Sequence, residues 1–250
     1  MNEPTPIKCI SEITVREVQR MGGDYMVVAA ARVSTSGEEA LKYADPAFME
    51  GEGYGLIKYL MKFRHGTPFE HSAITFFVHA PIFVWREWPR HRFGHSYNEE
   101  SGRYKQLEPV FYLPPSNRPM FKIDDWKPGR PKFLKSINQA GEAAYSTLCK
   151  NLSESYQLAY ANYEKNLALG MDPGLARDCL PVGIYSSCWV TVNPRSLMAF
   201  LSLRTHEPNA TFVSYPLYEM EVAARAVESI FAKHWPLTYK AFNECGRVDP

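Results

Sequence analysis

The sequence lacks a segment that would place it in a membrane. Its longest apolar stretch, Ala73 to Trp85, is interrupted by His79 and Pro81. A membrane-spanning helix needs about 20 apolar residues, which is longer than this stretch. The N-terminal residues show no apolar signal segment either. We therefore expect no membrane partner.

Cysteines are few, and no two of them have the spacing of a C-x-x-C motif. The chain has five, an odd number without a C-x-x-C pair: Cys9, Cys149, Cys179, Cys188 and Cys245. Secreted disulfide frameworks usually contain an even number, whereas reduced thiols are typical of the cytoplasm. The cysteine pattern therefore predicts a cytoplasmic protein.

An excess of one sign of charge is also absent. The 28 Lys and Arg residues against 27 Asp and Glu residues give a net charge of +1. No overall field therefore attracts nucleic acid or an anionic membrane. The sequence also has no G-x-G-x-x-G after a strand, no P-loop and no G-x-S-x-G elbow. Any specificity for anions must be local.

Helical and strand patterns occur along the chain without regular alternation. Helices are predicted at 24–33, at 53–65 with Gly66 as a left-handed cap, as an antiparallel hairpin of two helices over 132–169, and as a final helix at about 217–232. Strands are predicted at 72–79, followed by a helix begun by Pro81, and at 184–192, followed by a helix that Asn193 and Pro194 begin.

These elements predict an α+β fold, with a mixed or antiparallel sheet and flanking helices. The segment 114–131 contains five prolines and is predicted to be a surface loop or insertion. We expect one domain over residues 1–250, because the motifs described next lie on both sides of this loop.

The densest concentration of functional groups runs from Arg90 to Tyr104. It contains three arginines, two histidines and two glutamates. Because Pro89 disfavours helix before it, we expect the side chains of Arg90, His91 and Arg92 to diverge and to serve more than one anion. Two alternatives are a solvated charged loop and an RNA-binding module that alternates arginine with aromatic residues.

Two further clusters have both structural and functional interpretations. Thr67 and Glu70 have the spacing of a capping box, next to His65 at a predicted helix end. Arg204 falls on the apolar face of the helix after Asn193, where an arginine needs an anionic ligand or a carboxylate such as Glu207. Arg177, Asn193 and Arg195 complete this last candidate group.

A metal site is a further alternative. His91 and His95 are four residues apart, and His65, Glu70 and His71 offer other ligands, which suits a metal-dependent phosphohydrolase acting on nucleotides. However, arginines on both sides of His91 would repel a cation, so we expect no metal.

In their order, these motifs resemble the flavin-dependent thymidylate synthases. The family signature of Arg-His-Arg followed by Ser-x-Asn-Glu-x-Ser-x-Arg is present at 90–92 and 96–103. The resemblance extends to His-Gly-Thr-Pro-Phe-Glu-His at 65–71, Ala-Pro-Ile-Phe-Val at 80–84, Leu-Pro at 180–181, Thr-Val-Asn-Pro-Arg-Ser-Leu-Met at 191–198 and Leu-Arg at 203–204. It covers most of the chain.

The resemblance implies conversion of dUMP to dTMP through bound FAD, with methylenetetrahydrofolate as carbon donor and NADPH as reductant. It also implies a homotetramer with sites shared between subunits. No cysteine would add to the uracil ring. Arg204 would stabilise the anionic pyrimidine, Ser101 would orient a ligand, and His65 would position folate or move protons.

Binding residues follow from the same motifs. The resemblance implies that FAD is lined by Thr67, Glu70, Arg90, His91, Arg92, Asn98, Glu99, Asn193 and Arg195. It implies that dUMP is held by Glu87, Arg90, Glu99, Glu100, Ser101, Gly102, Arg103, Arg177 and Arg204.

Three positions depart from the family pattern. Eight residues instead of seven separate Arg-His-Arg from Ser101, which places an inserted residue at His95. The segment 205–216 is longer than usual and offers His206 or Tyr215 in place of a family histidine. Ala199 stands where asparagine is common. All three concern contacts to the flavin.

Overall fold

The computed structural model describes residues 4–46, 53–122, 133–134 and 139–250. The strands are β1 (Lys8–Ile10), β2 (Thr14–Met21), β3 (Ala73–Pro81), β4 (His95–Glu99), β5 (Val110–Tyr112), β6 (Phe121–Lys122), β7 (Phe133–Leu134) and β8 (Tyr185–Val192). The α-helices are α1 (Asp24–Ser36), α2 (Gly53–Lys62), α3 (Ile82–Trp85), α4 (Gln139–Ala168), α5 (Pro173–Ala176), α6 (Pro194–Arg204), α7 (Tyr218–His234) and α8 (Pro236–Glu244). Short 3₁₀ segments lie at Gly37–Ala44, Thr67–Glu70, Trp88–Arg90 and Arg177–Cys179.

The strands form one larger and two smaller sheets. The larger sheet has four strands in the order β2-β3-β8-β4. In a small parallel sheet, Cys9 of β1 pairs with Phe111 of β5, and in a small antiparallel sheet, Lys122 of β6 pairs with Phe133 of β7. Helices and mixed strand pairings confirm the predicted α+β class.

The chain divides into two compact units. The first comprises Met1–Ile13, His79–Glu87 and Glu99–Cys188. Its core packs tyrosines of α4 against β5, and the Tyr160 hydroxyl donates to the carbonyl of Leu107 at 2.8 Å. The Tyr163 hydroxyl accepts from the Leu107 amide at 3.1 Å, so the buried phenols keep their hydrogen bonds.

The second unit comprises Thr14–Val78, Trp88–Asn98 and Trp189–Pro250. Fully buried side chains of its helices form the core, among them Val27, Ile57 and Phe231. The buried Asp24 carboxylate at the start of α1 accepts from the amides of Leu237 and Thr238 at 2.8 and 2.9 Å, and from the Thr238 hydroxyl at 2.6 Å. Burial raises the pKa of Asp24 although these bonds oppose the rise.

Several predicted elements are confirmed. Helices α1 and α2, strands β3 and β8, and the start of α6 lie where the sequence places them, and Pro81 marks the junction of β3 with the short α3. The part of the predicted loop at 114–122 includes only the two-residue β6, and the part at 123–131 lies outside the described residues.

The predicted hairpin of two helices over 132–169 is wrong, since Gln139–Ala168 forms one helix. The reason is visible in the sequence. After Gly141 the helix contains neither glycine nor proline, so nothing interrupts it before Gly170, which has φ +76°. The helix at 218–234 is also not the final one, because Pro236 occupies the first turn of α8.

The predicted left-handed cap at Gly66 is wrong as well. Gly66 has right-handed helical angles, φ −78° and ψ −35°. Arg64, with φ +59°, takes the left-handed position, and the His65 amide bonds the carbonyl of Leu60 at 2.9 Å. The capping box at Thr67 is also not formed, since Gly66 precedes the 3₁₀ segment without a side-chain cap.

No helix in the described part of the chain is long and apolar enough to cross a membrane.

Candidate functional site

The second unit contains a cavity of about 560 Å³ at the Arg90 segment. This volume is within the range of about 300–1,000 Å³ typical of small-molecule sites. Its lining residues are Glu70, Arg90, His91, Arg92, Phe93, Gly94, His95, Asn193, Arg195, Ser196, Ala199 and Asp249. Three guanidinium groups against two carboxylates make the lining cationic on balance, which suits an anionic ligand.

A tight turn brings the Arg90 segment against α6. Gly94 has φ +62°, a backbone conformation that side chains rarely adopt. An added Cβ would collide with the Ser196 hydroxyl oxygen and lie 2.6 Å from Asn193 Nδ2. The adjacent Phe93 is 88% exposed, so an aromatic ring stands open to solvent at the cavity.

Asn193 performs a structural task at the same cavity. Its side-chain oxygen accepts from the Ser196 amide at 2.9 Å and so caps α6. Because Asn193 also lines the cavity, the start of α6 and the cavity wall share one side chain.

Two substitutions distinguish the role of Asn193 as the cap of α6 from its role in the cavity wall. Asn193→Ala removes the cap and is expected to lower the free energy of unfolding by about 1 kcal/mol. Asn193→Asp keeps the capping oxygen, so its stability is expected to stay within about 0.5 kcal/mol of wild type. It loses the amide donor and adds a negative charge, so binding of an anionic ligand is expected to weaken. Urea unfolding and ligand titration measure the two effects. Wild-type ligand affinity in Asn193→Asp would show that the amide makes no contact.

Arg195 is fixed from several sides within the second unit. Its Nη1 donates to Glu70 Oε1 at 2.6 Å, and its Nε donates to the carbonyl of Pro250 at 2.8 Å. The guanidinium lies directly over Gly66, where an added Cβ would collide with it. Gly66 therefore leaves the space that Arg195 occupies.

His91 lies beside the end of α6. The Nε of Arg204 donates to His91 Nε2 at 3.0 Å. Burial, followed by the charge of Arg204 and the nearby His95, lowers the pKa of His91 from 6.5 to about 4. Burial also lowers the pKa of His95, whose ring nitrogen contacts the carbonyl of Phe93 at 3.0 Å. Both imidazoles are therefore neutral at pH 7.

Stability is expected to depend on the charge state of His91. Its folded pKa of about 4 lies below the ordinary 6.5, so the unfolded chain binds the proton first. The free energy of unfolding should therefore fall as the pH decreases from 6.5 towards 4. His95 acts in the same direction and Asp24 in the opposite one. Urea unfolding at several pH values should show a shallower decrease for His91→Gln. Equal slopes for variant and wild type would contradict this origin.

The first unit contains a separate cavity of about 270 Å³. It is lined by Ile82, Glu99, Glu100, Gly102, Leu107, Arg177, Asp178, Leu180, Tyr185 and Ser186. The Ser186 hydroxyl donates to Glu99 Oε1 at 2.6 Å, and the Ser187 amide donates to Glu100 Oε1 at 3.0 Å. A Cβ at Gly102 would lie 3.2 Å from Arg177 Cδ, so this glycine lets the arginine pass closely.

Charge in this cavity differs from the expected excess of arginine. Its lining has three carboxylates and one guanidinium, and Lys105 pairs with Glu100 at 3.0 Å. The cavity therefore presents hydrogen-bond acceptors as well as donors.

The second unit's cavity contains six of the nine residues expected at FAD: Glu70, Arg90, His91, Arg92, Asn193 and Arg195. Thr67 and Asn98, in the same unit, do not line it, and Glu99 lines the cavity of the first unit. Phe93, Gly94, Ser196 and Asp249 also line it, although they are not among the residues expected at FAD. The position of Ser196 at the cavity could have been inferred, because it lies one helical turn after Asn193. Nothing in the sequence indicated Asp249.

Of the residues expected at dUMP, the first unit's cavity contains Glu99, Glu100, Gly102 and Arg177. Glu87, Ser101 and Arg103 belong to that unit but do not line the cavity, and the Ser101 hydroxyl oxygen accepts from the Arg103 amide at 3.3 Å. Arg90 and Arg204 belong to the second unit. Tyr185 and Ser186 were missed, because a buried strand shows no sign of a ligand.

Other expected residues are placed as follows. The exposed His65 stacks on Tyr59 with ring centroids 6.0 Å apart. His206 and Tyr215 contact one another at 5.1 Å and do not line the second unit's cavity. Glu207 accepts from Arg225 at 2.6 Å, so the suggested pairing of Glu207 with Arg204 is wrong.

Metal ligands do not cluster in the described part of the chain. No group of three or more His, Cys, Asp or Glu side chains there is arranged to hold a metal ion.

The chain is similar to known proteins over almost all of its length. A family model described as "Thymidylate synthase complementing protein" matches residues 18–237. The chain is 47% identical to the flavin-dependent thymidylate synthase of Streptomyces coelicolor over 98% of this chain and 96% of that one. Two crystal structures of the UMP/dUMP methylase PolB from Streptomyces cacaoi, with 5-Br UMP and 5-Br dUMP, align with TM-scores of 0.87 and 0.88. The PolB chains in these two structures are 39% and 40% identical in sequence to this chain. Both alignments cover 98% of this chain and 100% of the PolB chain.

Proposed function

Because the chain belongs to the flavin-dependent thymidylate synthase family, we propose that it is a methyltransferase that converts dUMP to dTMP with a bound flavin. The observation that carries this proposal is the cationic cavity of about 560 Å³ lined by Arg90, His91 and Arg92. These residues are the family's Arg-His-Arg motif, in a chain that matches its relatives over nearly its full length.

The second unit's cavity fits FAD by its donor set and shape. Arg90, Arg92 and Arg195 supply guanidinium groups for a diphosphate, and Gly94 lets the backbone approach a ligand closely. The exposed ring of Phe93 offers a surface for a flat heterocycle. When bound, the flavin supplies the redox chemistry of the reaction.

The first unit's cavity is proposed to take the uracil nucleotide. In this proposal Arg177 would donate hydrogen bonds to the nucleotide, and Glu99 and Glu100 would accept them from its N3–H and ribose hydroxyl. The similarity to PolB, solved with brominated UMP and dUMP, supports a uracil nucleotide as substrate. The remaining dUMP residues of the family motif, Glu87, Arg90, Ser101, Arg103 and Arg204, are proposed by resemblance.

The chemical roles follow from the family resemblance and from the charges present. Arg204 stabilises the negative charge that develops on the carbonyl oxygens of uracil as C5 becomes nucleophilic. Ser101 orients the nucleotide through its hydroxyl group. His65 positions the folate or moves a proton. No thiol is required, so Cys179→Ala is expected to retain activity; its Sγ contacts the carbonyl of Ala176 at 3.4 Å.

We further propose methylenetetrahydrofolate as the carbon donor and NADPH as the reductant. The chain is proposed to act in the cytoplasm as a homotetramer with sites shared between subunits, each copy forming one domain over 1–250. Light scattering of the purified protein tests the assembly.

The deciding experiment is a visible absorption spectrum with dUMP titrated in. We expect yellow protein whose flavin bands shift with dUMP, and dTMP formation that requires methylenetetrahydrofolate and NADPH. UMP is titrated in parallel, because the neighbouring structures contain both nucleotide types. Colourless protein that neither binds added FAD nor makes dTMP would overturn the proposal. Activity that chelators abolish would favour a metal-dependent enzyme instead.

A further inference from the structure

The second unit has another cavity, which lies where α2 ends beside α8. Its volume is about 420 Å³, within the range typical of small-molecule sites. Lys58, Lys62 and Arg64 line it from α2 and the residues that follow this helix. Glu244 and Val248 line it from the end of α8 and the segment after it. We call it the α2–α8 cavity. None of the residues that the motifs assign to flavin or dUMP lines it.

The positive charge in this cavity is only partly compensated. The Lys58 Nζ donates to Glu244 Oε2 at 2.5 Å, and the Tyr54 hydroxyl donates to the same oxygen at 2.6 Å. This carboxylate is therefore already satisfied. Among the residues that the structure describes, no carboxylate pairs with Lys62 or Arg64, and both side chains are exposed. Two cations that line the cavity thus keep hydrogen-bond donors for a bound anion.

The backbone of Arg64 is strained. Its φ of +59° is left-handed, a conformation in which glycine is usual at the end of a helix. Arg247, after α8, has φ +58°, but its guanidinium is buried and pairs with Glu228 at 2.7 Å. Arg64 has no such ion pair in the described part of the chain. Strained residues cluster at ligand sites, and a bound anion would compensate for the strain at Arg64.

The other lining residues indicate what kind of anion fits. Met61 is buried and Val248 half-buried, so an apolar surface lies beside the cations and suits a heterocyclic base. Arginine binds phosphate through two parallel hydrogen bonds, and lysine binds it as a point charge. Asp249 lines both this cavity and the one at the Arg90 segment, so the two cavities adjoin. A nucleotide phosphate held here would lie next to the proposed flavin site.

We propose that the α2–α8 cavity binds the 2′-phosphate end of NADPH, and that Arg64 and Lys62 make the chain prefer NADPH to NADH. The inference rests on the proposed function, which needs a reductant that reaches the flavin. In dinucleotide-binding proteins an arginine commonly accommodates this phosphate, which NADH lacks. The adenosine end would occupy the α2–α8 cavity, and the rest of the dinucleotide would extend past Asp249 towards the flavin.

Binding of 2′,5′-ADP tests the site without turnover, because this compound carries the 2′-phosphate and 5′-AMP does not. Calorimetry on the flavin-loaded wild-type chain should show 2′,5′-ADP binding about ten-fold to a hundred-fold tighter than 5′-AMP. In Arg64→Gly this preference should fall to about three-fold or less. Glycine suits the left-handed backbone, so the melting temperature of Arg64→Gly should not decrease.

Lys62→Ala and Lys233→Ala form a matched pair of variants. Both lysines are exposed and lie in the last turn of a helix, and of the two only Lys62 lines the cavity. Lys62→Ala should raise the KM for NADPH about ten-fold, with an unchanged KM for NADH and unchanged flavin content. Lys233→Ala should have wild-type values throughout.

Equal binding of 2′,5′-ADP and 5′-AMP by the wild-type chain would overturn the inference, as would an unchanged preference in Arg64→Gly. Loss of flavin from Arg64→Gly would assign the cavity to the phosphates of FAD. Weaker binding of pentaglutamyl folate alone would assign it to the folate tail. Either result would also overturn the inference. A wild-type chain that binds 2′,5′-ADP through Arg64 but makes no dTMP would overturn the proposed function and leave the phosphate site in place.

Discussion

Arg204→Ala is expected to lower kcat for dTMP formation by about 10²- to 10³-fold while the purified protein remains yellow. The guanidinium is proposed to stabilise charge that is larger in the transition state than in bound dUMP. Arg204 does not line the second unit's cavity, so flavin content should not change. Steady-state kinetics and the flavin absorbance of the same preparation measure the two quantities.

A control variant and a conservative variant help to interpret the loss of activity expected for Arg204→Ala. Lys150 is an exposed cation on α4 that pairs with Glu154 at 3.9 Å, and Lys150→Ala should have wild-type kinetics. Arg204→Lys keeps the charge but loses the planar fork, so we expect partial activity. Wild-type turnover in Arg204→Ala would contradict the assigned role.

Gly66→Ala is expected to weaken flavin binding about ten-fold to a hundred-fold, the effect of losing one hydrogen bond to a charged group. The new Cβ would occupy the position of the Arg195 guanidinium, which has to move away from the cavity it lines. The backbone of Gly66 is in the right-handed region, so alanine adds no backbone strain. The loss of stability should be limited to the displaced, partly exposed contacts of Arg195 with Glu70 and Pro250, about 1 kcal/mol. Flavin titration and urea unfolding separate the two effects.

Gly55→Ala is the control for this substitution. Gly55 is exposed on α2, and a Cβ there meets nothing within 4 Å. We expect unchanged flavin affinity and a gain in stability of about 0.5–1 kcal/mol. If Gly66→Ala binds flavin as tightly as Gly55→Ala does, Arg195 makes no contribution to flavin affinity.

Local chemistry made part of this structure predictable. Asn193 followed by Pro194 starts a helix because the cap and the fixed φ act within one turn. The sequence indicated a ligand site at Arg90, His91 and Arg92, and all three line one cavity directly after the turn that contains Pro89. The single long helix α4 was also predictable, because Gln139–Ala168 contains no proline and no glycine after Gly141. Composition alone does not distinguish one long helix from a hairpin of two.

The unpredicted contacts join distant parts of the sequence. Glu70 pairs with Arg195 across 125 residues, and His91 accepts from Arg204 across 113. Neither spacing follows from helical or strand periodicity, because both depend on how helices pack in the second unit. The predicted capping box at Thr67 does not form, because the backbone takes a different path there. Arg64 ends α2 in the left-handed conformation, and Gly66 then precedes a 3₁₀ segment without a side-chain cap.

The double duty of Asn193 links ligand occupancy to thermal stability. A ligand that holds this side chain also holds the first turn of α6, so opening of that helix and release of the ligand become one event. A ligand that binds only the folded chain stabilises it by about 2.7 kcal/mol at 100 times its dissociation constant. The melting temperature of the chain thus becomes a direct assay for what the cavity accepts, without any need for turnover.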